Sequence, residues 1–422
     1  MNGNSLPEMT SAEMRLLLLS ARTELPEGKR PALLELLQAD LSWGKLWEAG
    51  HFHGVLPLLY LHLQALTPQL VPVDMLERLR FRHDTSVHRN LLKTAEFLRI
   101  VQALAGKDIP TIPLKGVVLA HTLYPNPGLR EFSDIDVLVR DQDVWQARGL
   151  LESMGFVSRS DLAAGQEIAL RRSMHAHVFW RPADRMLVDL HWDLAPRYQA
   201  TGIPVDALWH RTTKFELGGA ELRILSPEVT LLLLCAHAAN HGPVPWPRVK
   251  WVCDVSELLR KHRGLDWREL FALAEEAGCR RMVDLGLAVA ARLLDAPLPD
   301  EVERRVRSDQ ALAPVAALVC RRLLEDRRDD VTGASRLWMS LRLRERRRDR
   351  LSCLTRQAFV PREQDWSVAR LPPALAFLYV PLRLLRLAFK FGLSQPLRWL
   401  GAKLRKQDSH AEAAITREAG ST

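Results

Sequence analysis

Cysteine is scarce in this chain. Five stand among 422 residues (Cys235, Cys253, Cys279, Cys320, Cys353), odd in number, scattered, and nowhere spaced as Cys-x-x-Cys. A disulfide framework, a cysteine zinc centre and a disulfide-linked partner are therefore not expected. The first residues lack a basic stretch followed by an apolar core and a cleavage site, so a cytoplasmic location is expected rather than secretion. No tandem repeat of fixed period is visible. The apolar stretch at 374–393 is interrupted by Arg383, Arg386 and Lys390, and that many cations argue against a membrane span.

What is present fits a folded protein of two or three compact units, with 47% hydrophobic and 26% charged residues. The net charge of +9 is unevenly placed. Residues 338–406 carry sixteen Lys/Arg against four Asp/Glu, a local +12, which leaves the rest of the chain at −3. The high isoelectric point thus describes the C-terminal region and is no evidence of nucleic-acid binding by the remainder.

Helical spacing of apolar residues, as in Leu33, Leu34, Leu36, Leu37 and Leu41, predicts a helical region over 1–105, punctuated by Pro57 and Pro72, with 1–10 polar and frayed. An α/β core is expected over 106–225. Its strand candidates are 109–114, 134–139, 154–158, 175–180 and 186–192, with helices at 117–124 and 142–153. Pro110 and Pro113 allow the first strand only an edge position. The turn-rich Arg181-Pro182-Ala183-Asp184-Arg185 is expected to join the last two strands as a hairpin. A helical domain follows over 226–350, opened by Ser226 as N-cap with Pro227 in the first turn, and broken near 243–247 and 297–299. The last parts are a basic segment over 351–406, whose final helix at 374–393 has a candidate kink at Pro381, and a disordered tail over 407–422.

The chemistry concentrates at Leu114-Lys115-Gly116 and Ser133-Asp134-Ile135-Asp136-Val137. On a strand, Asp134 and Asp136 project from one face while Ile135 and Val137 pack behind. Two adjacent carboxylates on a rigid strand repel unless a cation lies between them, and hard oxygen ligands suit Mg²⁺ or Mn²⁺. Gly116 lets a phosphate approach the backbone, and the helix after it offers unpaired N–H groups. Together these parts describe a metal–triphosphate site. A further strand, Leu187-Val188-Asp189-Leu190-His191, places Asp189 and His191 on one face. Asp193 lies on that face too, nearer the strand end, as a rival third acid.

These residues resemble the bacterial uncharacterised nucleotidyltransferase family of the polymerase-β-like nucleotidyltransferase superfamily. The resemblance rests on Leu114-Lys115-Gly116, Arg130, Asp134-Ile135-Asp136 and Asp189-Leu190-His191-Trp192, and extends over roughly 33–400. It implies an α+β fold, a small mixed-sheet nucleotidyltransferase core flanked by N-terminal and C-terminal helical regions. It also implies transfer of a nucleoside monophosphate from an NTP to an acceptor hydroxyl, with release of pyrophosphate. In that reading Asp134, Asp136 and Asp189 are catalytic and bind the metal, and Asp189 also accepts the hydroxyl proton. Lys115 and Gly116 cradle phosphates, Arg130 clamps a phosphate or the leaving pyrophosphate, and His191 orients the acid or contacts phosphate. His237, His241 and Asp254, beside Trp251, line a base or acceptor pocket in the helical domain. Two departures stand out: the superfamily's usual phosphate-binding serine is missing after Gly116, and seventeen residues separate Gly116 from Asp134.

Competing readings attach to particular features. An Asp-x-Asp glycosyltransferase using Mn²⁺ and a nucleotide sugar shares the paired acids, but its α/β unit normally comes first in the chain. A non-catalytic adaptor on a partner or membrane surface would account for the absent serine and the basic C-terminal region. The His237–His241 spacing suits zinc, yet Ala238 stands where a metalloprotease needs its glutamate. No long groove of interleaved aromatic and basic residues accompanies the acidic strands, which argues against a templated polymerase. The helix at 374–393 is expected to dock on its own protein with snorkelling arginines, or to lie peripherally on the inner membrane face. The arginine run at 342–350 reads as a solvated helix face. The acceptor (small molecule, sugar, RNA end or protein) is not legible.

Overall fold

Residues 10–159, 164–196, 205–241, 245–325, 333–366 and 371–389, with the single positions 199, 202 and 368, are described by the structure, a computed structural model. Five helices lead: α1 (Ala12–Ser20), α2 (Arg30–Gln38), α3 (Trp43–His53), α4 (Leu56–Leu66) and α5 (Val73–Ala105). Next come β1 (Thr111–Pro113), α6 (Gly116–Thr122), β2 (Asp134–Val139), α7 (Val144–Ser153), β3 (Val157–Ser158), α8 (Ala164–Ser173), β4 (Ala176–Arg181) and β5 (Met186–His191). After α9 (Val205–Leu208), a hairpin of β6 (Thr212–Leu217) and β7 (Ala220–Leu225) leads into α10 (Pro227–Asn240) and α11 (Val249–Lys261). The remaining helices are α12 (Trp267–Glu276), α13 (Arg280–Leu294), α14 (Asp300–Ser308), α15 (Ala313–Glu325), α16 (Gly333–Arg342), α17 (Arg347–Phe359), α18 (Glu363–Trp366) and α19 (Tyr379–Ala388). The chain falls into two compact units. One comprises Met1–Ser160 with His175–Cys353, the other Asp161–Met174 with Leu354–Thr422. Among the described residues no helix is long and apolar enough to cross a membrane.

The fold is α+β. A five-stranded mixed sheet runs in the order β1-β2-β5-β4-β3, with β2 and β5 parallel and the other pairs antiparallel. Strand β1 is an edge strand, as its proline content demands, since Pro113 has no N–H to donate to a second neighbour. Strands β4 and β5 form the hairpin expected from the 181–185 turn, with Arg185 in the left-handed region at φ 58°. Ser226 caps α10 by accepting a hydrogen bond from the Val229 amide, and Pro227 occupies the first turn.

Several local expectations are corrected. The strand expected at 154–158 is reduced to two residues, because Gly155 at φ 85° turns the chain before it can pair. The β6–β7 hairpin was not anticipated, although Gly218 and Gly219, at φ 57° and 78°, are the residue types a two-residue hairpin turn requires. Arg344 is not solvated: it is buried, donating to the backbone carbonyls of Ser340 (2.7 Å) and Gln199. Pro381 makes no kink, because α19 begins only at Tyr379 and its first turn needs no donor there. The 390–393 end of that expected helix, the tail from 407, the first nine residues and part of the 243–247 break lie outside the described residues.

In the larger unit one continuous apolar core joins the N-terminal helices to α10–α15, and includes Ile112, Leu114 and Leu138 of the sheet region. The long helix α5 positions the loop that precedes β2. Asn90 donates to the carbonyls of Pro127 (2.7 Å) and Arg130 (2.9 Å), Ser86 to that of Gly128 (2.7 Å), and Lys93 to that of Phe132 (2.6 Å). Gly128 packs so closely on this helix that a Cβ would lie 2.2 Å from Val87 Cγ2. The approach loop is thereby fixed by side chains nearly forty residues upstream.

Candidate functional site

The parallel pairing of β2 with β5 sets Asp136 directly opposite Asp189, and Leu138 opposite His191. Because strand side chains alternate, Asp134, Asp136, Asp189 and His191 share one face of the sheet. Val137 and Leu190 pack into the core on the other. Asp136, Asp189 and His191 each offer a ligand atom, and these atoms lie within 4.8 Å of one another. His191 Nε2 is 3.0 Å from Asp136 Oδ1, and Lys115 Nζ is 3.2 Å from the same oxygen. Asp134 sits at the strand start, half-buried, outside that close group, and accepts a hydrogen bond from Ser133 Oγ at 3.1 Å. The sequence reading assigned the metal to Asp134, Asp136 and Asp189; the close donor group contains Asp136 and Asp189 and adds His191 beside them. Asp193 lies beyond β5 and accepts from the Leu194 amide at 2.7 Å.

Charge at this cluster is strongly unbalanced. Burial disfavours ionised Asp136, but Lys115 and the hydrogen-bonded His191 outweigh it and hold the carboxyl well below the usual range. Burial, then the Asp136 carboxylate, push Asp189 up to about 6. Two neighbouring acids are thus driven apart in acidity, one firmly ionised and one titrating near neutrality. His175 joins them, its ring 5.3 Å from that of His191, and burial followed by His191 and Lys115 holds it well below its ordinary value. The Nδ1 atoms of His175 and His191 are buried with no hydrogen-bond partner among the described residues.

Gly116 closes one side. Its φ of 39° is left-handed, and an added Cβ would lie 3.0 Å from the Asp134 carbonyl oxygen and 3.9 Å from Asp136 Oδ2. Glycine is therefore needed both for backbone conformation and for close approach. Gly116→Ala is expected to cost about 1–2 kcal/mol, a melting-temperature loss of a few degrees. An unchanged melting curve would show that the turn relaxes freely.

Arg130 is not left open to solvent. Its guanidinium grips Asp254 with two bonds, Nε to Oδ1 at 2.7 Å and Nη2 to Oδ2 at 2.8 Å, while Nη1 donates to the Gly116 carbonyl at 3.2 Å. The Tyr124 hydroxyl donates to Asp254 Oδ1 at 2.9 Å, and all three residues are buried. Arg130 and Asp254, expected as separate contacts to a bound nucleotide, are thus partners that tie the approach loop to α11.

Across from the sheet, α10 and α11 supply the other wall. Trp251 meets the rings of His237 and His241 at 5.4 and 4.6 Å, and the two histidines are 5.1 Å apart. Burial and the charge of Lys115 keep both histidines below their ordinary values. Between the two walls lies a cavity of about 590 Å³ lined by all ten sequence-predicted site residues, from Lys115 through Asp254; the rival acid Asp193 is not among its lining residues. Its size suits a small-molecule ligand. His175 and Lys250 also line it and were missed by sequence reasoning. Lys250 is brought down to about 8 by burial and then by Arg130, and its Nζ lies 3.3 Å from the Glu131 carbonyl. Only its place one turn before Asp254 on an amphipathic helix could have drawn notice to it.

A protein-family model described as uncharacterised nucleotidyltransferase matches residues 39–295. Among solved structures, an antigenic nucleotidyltransferase-like protein from Paracoccidioides brasiliensis is similar at 15% identity, over 53% of this chain and 91% of that chain, with a TM-score of 0.32. No curated protein matches.

Proposed function

Because the chain belongs to the uncharacterised nucleotidyltransferase family, we propose that it transfers a nucleoside monophosphate from an NTP to an acceptor hydroxyl by the chemistry of the polymerase-β-like superfamily. The observation that carries this reading is the register of β2 and β5, which sets Asp136 against Asp189, with His191 alongside, at one wall of a nucleotide-sized cavity. The donor set fits a divalent cation. Two carboxylates and an imidazole converge; burial and then the adjacent Asp136 carboxylate raise Asp189, and a cation between the two acids would offset both. Asp134, Asp136 and Asp189, with His191, would hold Mg²⁺ or Mn²⁺, which supplies charge neutralisation at the triphosphate.

The chain's own residues do the rest. The acceptor oxygen, on a small molecule, sugar, RNA end or protein, bonds to the α-phosphorus as the bond to the β-phosphate's bridging oxygen breaks. Pyrophosphate leaves with that electron pair, and the hydroxyl proton passes to the Asp189 carboxylate, whose acidity is near that of a neutral-pH base. Lys115 and the close backbone at Gly116 take the phosphates. Arg130 and Asp254 act as positioning residues for that turn. His237, His241 and Trp251 form the wall against which the base or the acceptor rests. Mg²⁺-dependent release of pyrophosphate from an NTP tests the reading; release of sugar from a nucleotide diphosphosugar, with no pyrophosphate, would contradict it.

Asp189 gives a pH signature. Its folded-state pKa of about 6 exceeds the ordinary 3.8, so the folded protein keeps a proton that the unfolded chain has lost. The group therefore favours the fold below pH 3.8, and that contribution is lost as pH rises through about 6. In chelator, Asp189→Asn is expected to melt a few degrees above wild type at neutral pH and above, with the gap closing in acid. Added Mg²⁺ should raise the melting temperature of wild type alone. A gap that does not change with pH, or equal stabilisation of both proteins by metal, would exclude this account of Asp189.

A further inference from the structure

Helix α19 of the smaller unit is built inside out. Its inward side carries Tyr379 and Arg383, both buried, with Arg386 beside them. Arg383 Nη1 lies 2.8 Å from Asp365 Oδ2, and Arg386 Nε lies 2.6 Å from Asp365 Oδ1, so one buried carboxylate of α18 engages both cations. Arg383 Nε also donates to the Ala358 carbonyl at 3.0 Å. Anchored this way, the helix turns Pro381, Leu384, Leu385, Ala388 and Phe389 outward. Leu385 is 68% exposed, Phe389 66% and, in the preceding 3-10 turn, Phe377 65%. The sequence reading expected arginines to snorkel over docked leucines; the structure reverses the two faces. Scattered exposed leucines need no explanation, but a helix face made wholly of apolar residues does.

The charge around this face indicates what covers it. From Ser367 to Gln407 there is no Asp or Glu, while eight Lys/Arg occur: Arg370, Arg383, Arg386, Lys390, Arg398, Lys403, Arg405 and Lys406. Arg383 and Arg386 are engaged by Asp365, and the other six stand on either side of the apolar face in the sequence. A second copy of the chain would bring the same positive stretch against itself, which like-charge repulsion opposes. An anionic lipid surface matches both properties at once, since apolar side chains enter the acyl boundary while flanking cations meet headgroup phosphates.

We propose that the outward face of α19, centred on Leu385 and Phe389, is a docking surface for an anionic phospholipid membrane. The helix lies in the interface and does not span it. No residue of α19 lines the cavity, and the test of this surface does not depend on any nucleotide activity.

The experiment is cosedimentation of the full chain with vesicles of equal parts phosphatidylcholine and phosphatidylglycerol, against vesicles of phosphatidylcholine alone. Wild type is expected to bind the anionic vesicles, weakly or not at all the neutral ones, and less as salt rises. Leu385→Ser/Phe389→Ser is expected to lower apparent affinity about tenfold or more with an unchanged melting curve, because both side chains are exposed. A second variant guards against a folding artefact. All five native cysteines are buried, so Leu385→Cys offers one accessible thiol for an environment-sensitive dye, whose emission should shift to the blue on anionic vesicles. No binding by wild type, equal binding by the double variant, or an unshifted dye on bound protein would overturn the proposal. So would a dimer in sedimentation equilibrium that the double variant abolishes in the absence of vesicle binding, since the face would then belong to a second copy.

Discussion

Asp136→Asn is expected to reduce nucleotidyl transfer by on the order of 10³-fold or more while leaving the fold in place. The side chain keeps its shape and volume, so the packing of β2 against β5 survives. What disappears is the negative charge on which Lys115 and His191 converge at 3.2 and 3.0 Å. The remaining acids do not replace it: Asp189 is the less acidic member of the adjacent pair, and Asp134 stands outside the group of atoms that approach within 4.8 Å. Removing the firmly ionised member therefore removes the centre's main claim on a cation. Transfer of label from an α-labelled NTP onto components of a cell extract, with melting curves recorded in parallel, measures both halves of this expectation. Undiminished transfer by a folded variant would sink the catalytic reading of the acidic strands.

Asp254→Ala should produce the largest loss of stability, about 3–5 kcal/mol, or a melting temperature lower by roughly 5–10 °C. The reason is what it leaves behind. Arg130 is buried and makes a two-bond contact to Asp254, and the Tyr124 hydroxyl donates to the same carboxylate. With the carboxylate gone, a guanidinium and a hydroxyl remain buried without their partner. Replacing both members by apolar residues of similar size, Arg130→Met with Asp254→Leu, should recover much of that loss, because no orphaned charge then remains. Recovery of activity should not follow. Arg130 also donates to the Gly116 carbonyl at 3.2 Å, and the double variant lacks that restraint on the turn beside Asp136. A single variant no less stable than a surface substitution would show that the pair is solvated in solution.

Local patterns and distant partnerships differ in how far the sequence reveals them. The alternation Asp134-Ile135-Asp136-Val137 was enough to place a strand and the face its acids share, and the Ser226-Pro227 pair was enough to start α10. The pairing of Arg130 with Asp254 was not readable, since 124 positions separate them and each alone looks like an available charge. His175 was overlooked because nothing in its own neighbourhood distinguishes it; its meaning comes from His191 on the adjacent strand. Gly218-Gly219 did carry a hairpin signal, and the polar alternation around it hid two short strands. Hydrophobic spacing in α19 identified an amphipathic helix and gave no hint of which face turns inward, because Asp365 decides that from another element.

Isothermal titration of each NTP, with and without Mg²⁺, into wild type and Asp134→Ala/Asp136→Ala tests the central claim most directly. The account predicts Mg²⁺-dependent binding of at least one NTP to wild type and its loss in the variant. Binding that persists unchanged in the variant, or no binding to wild type in either condition, would contradict it.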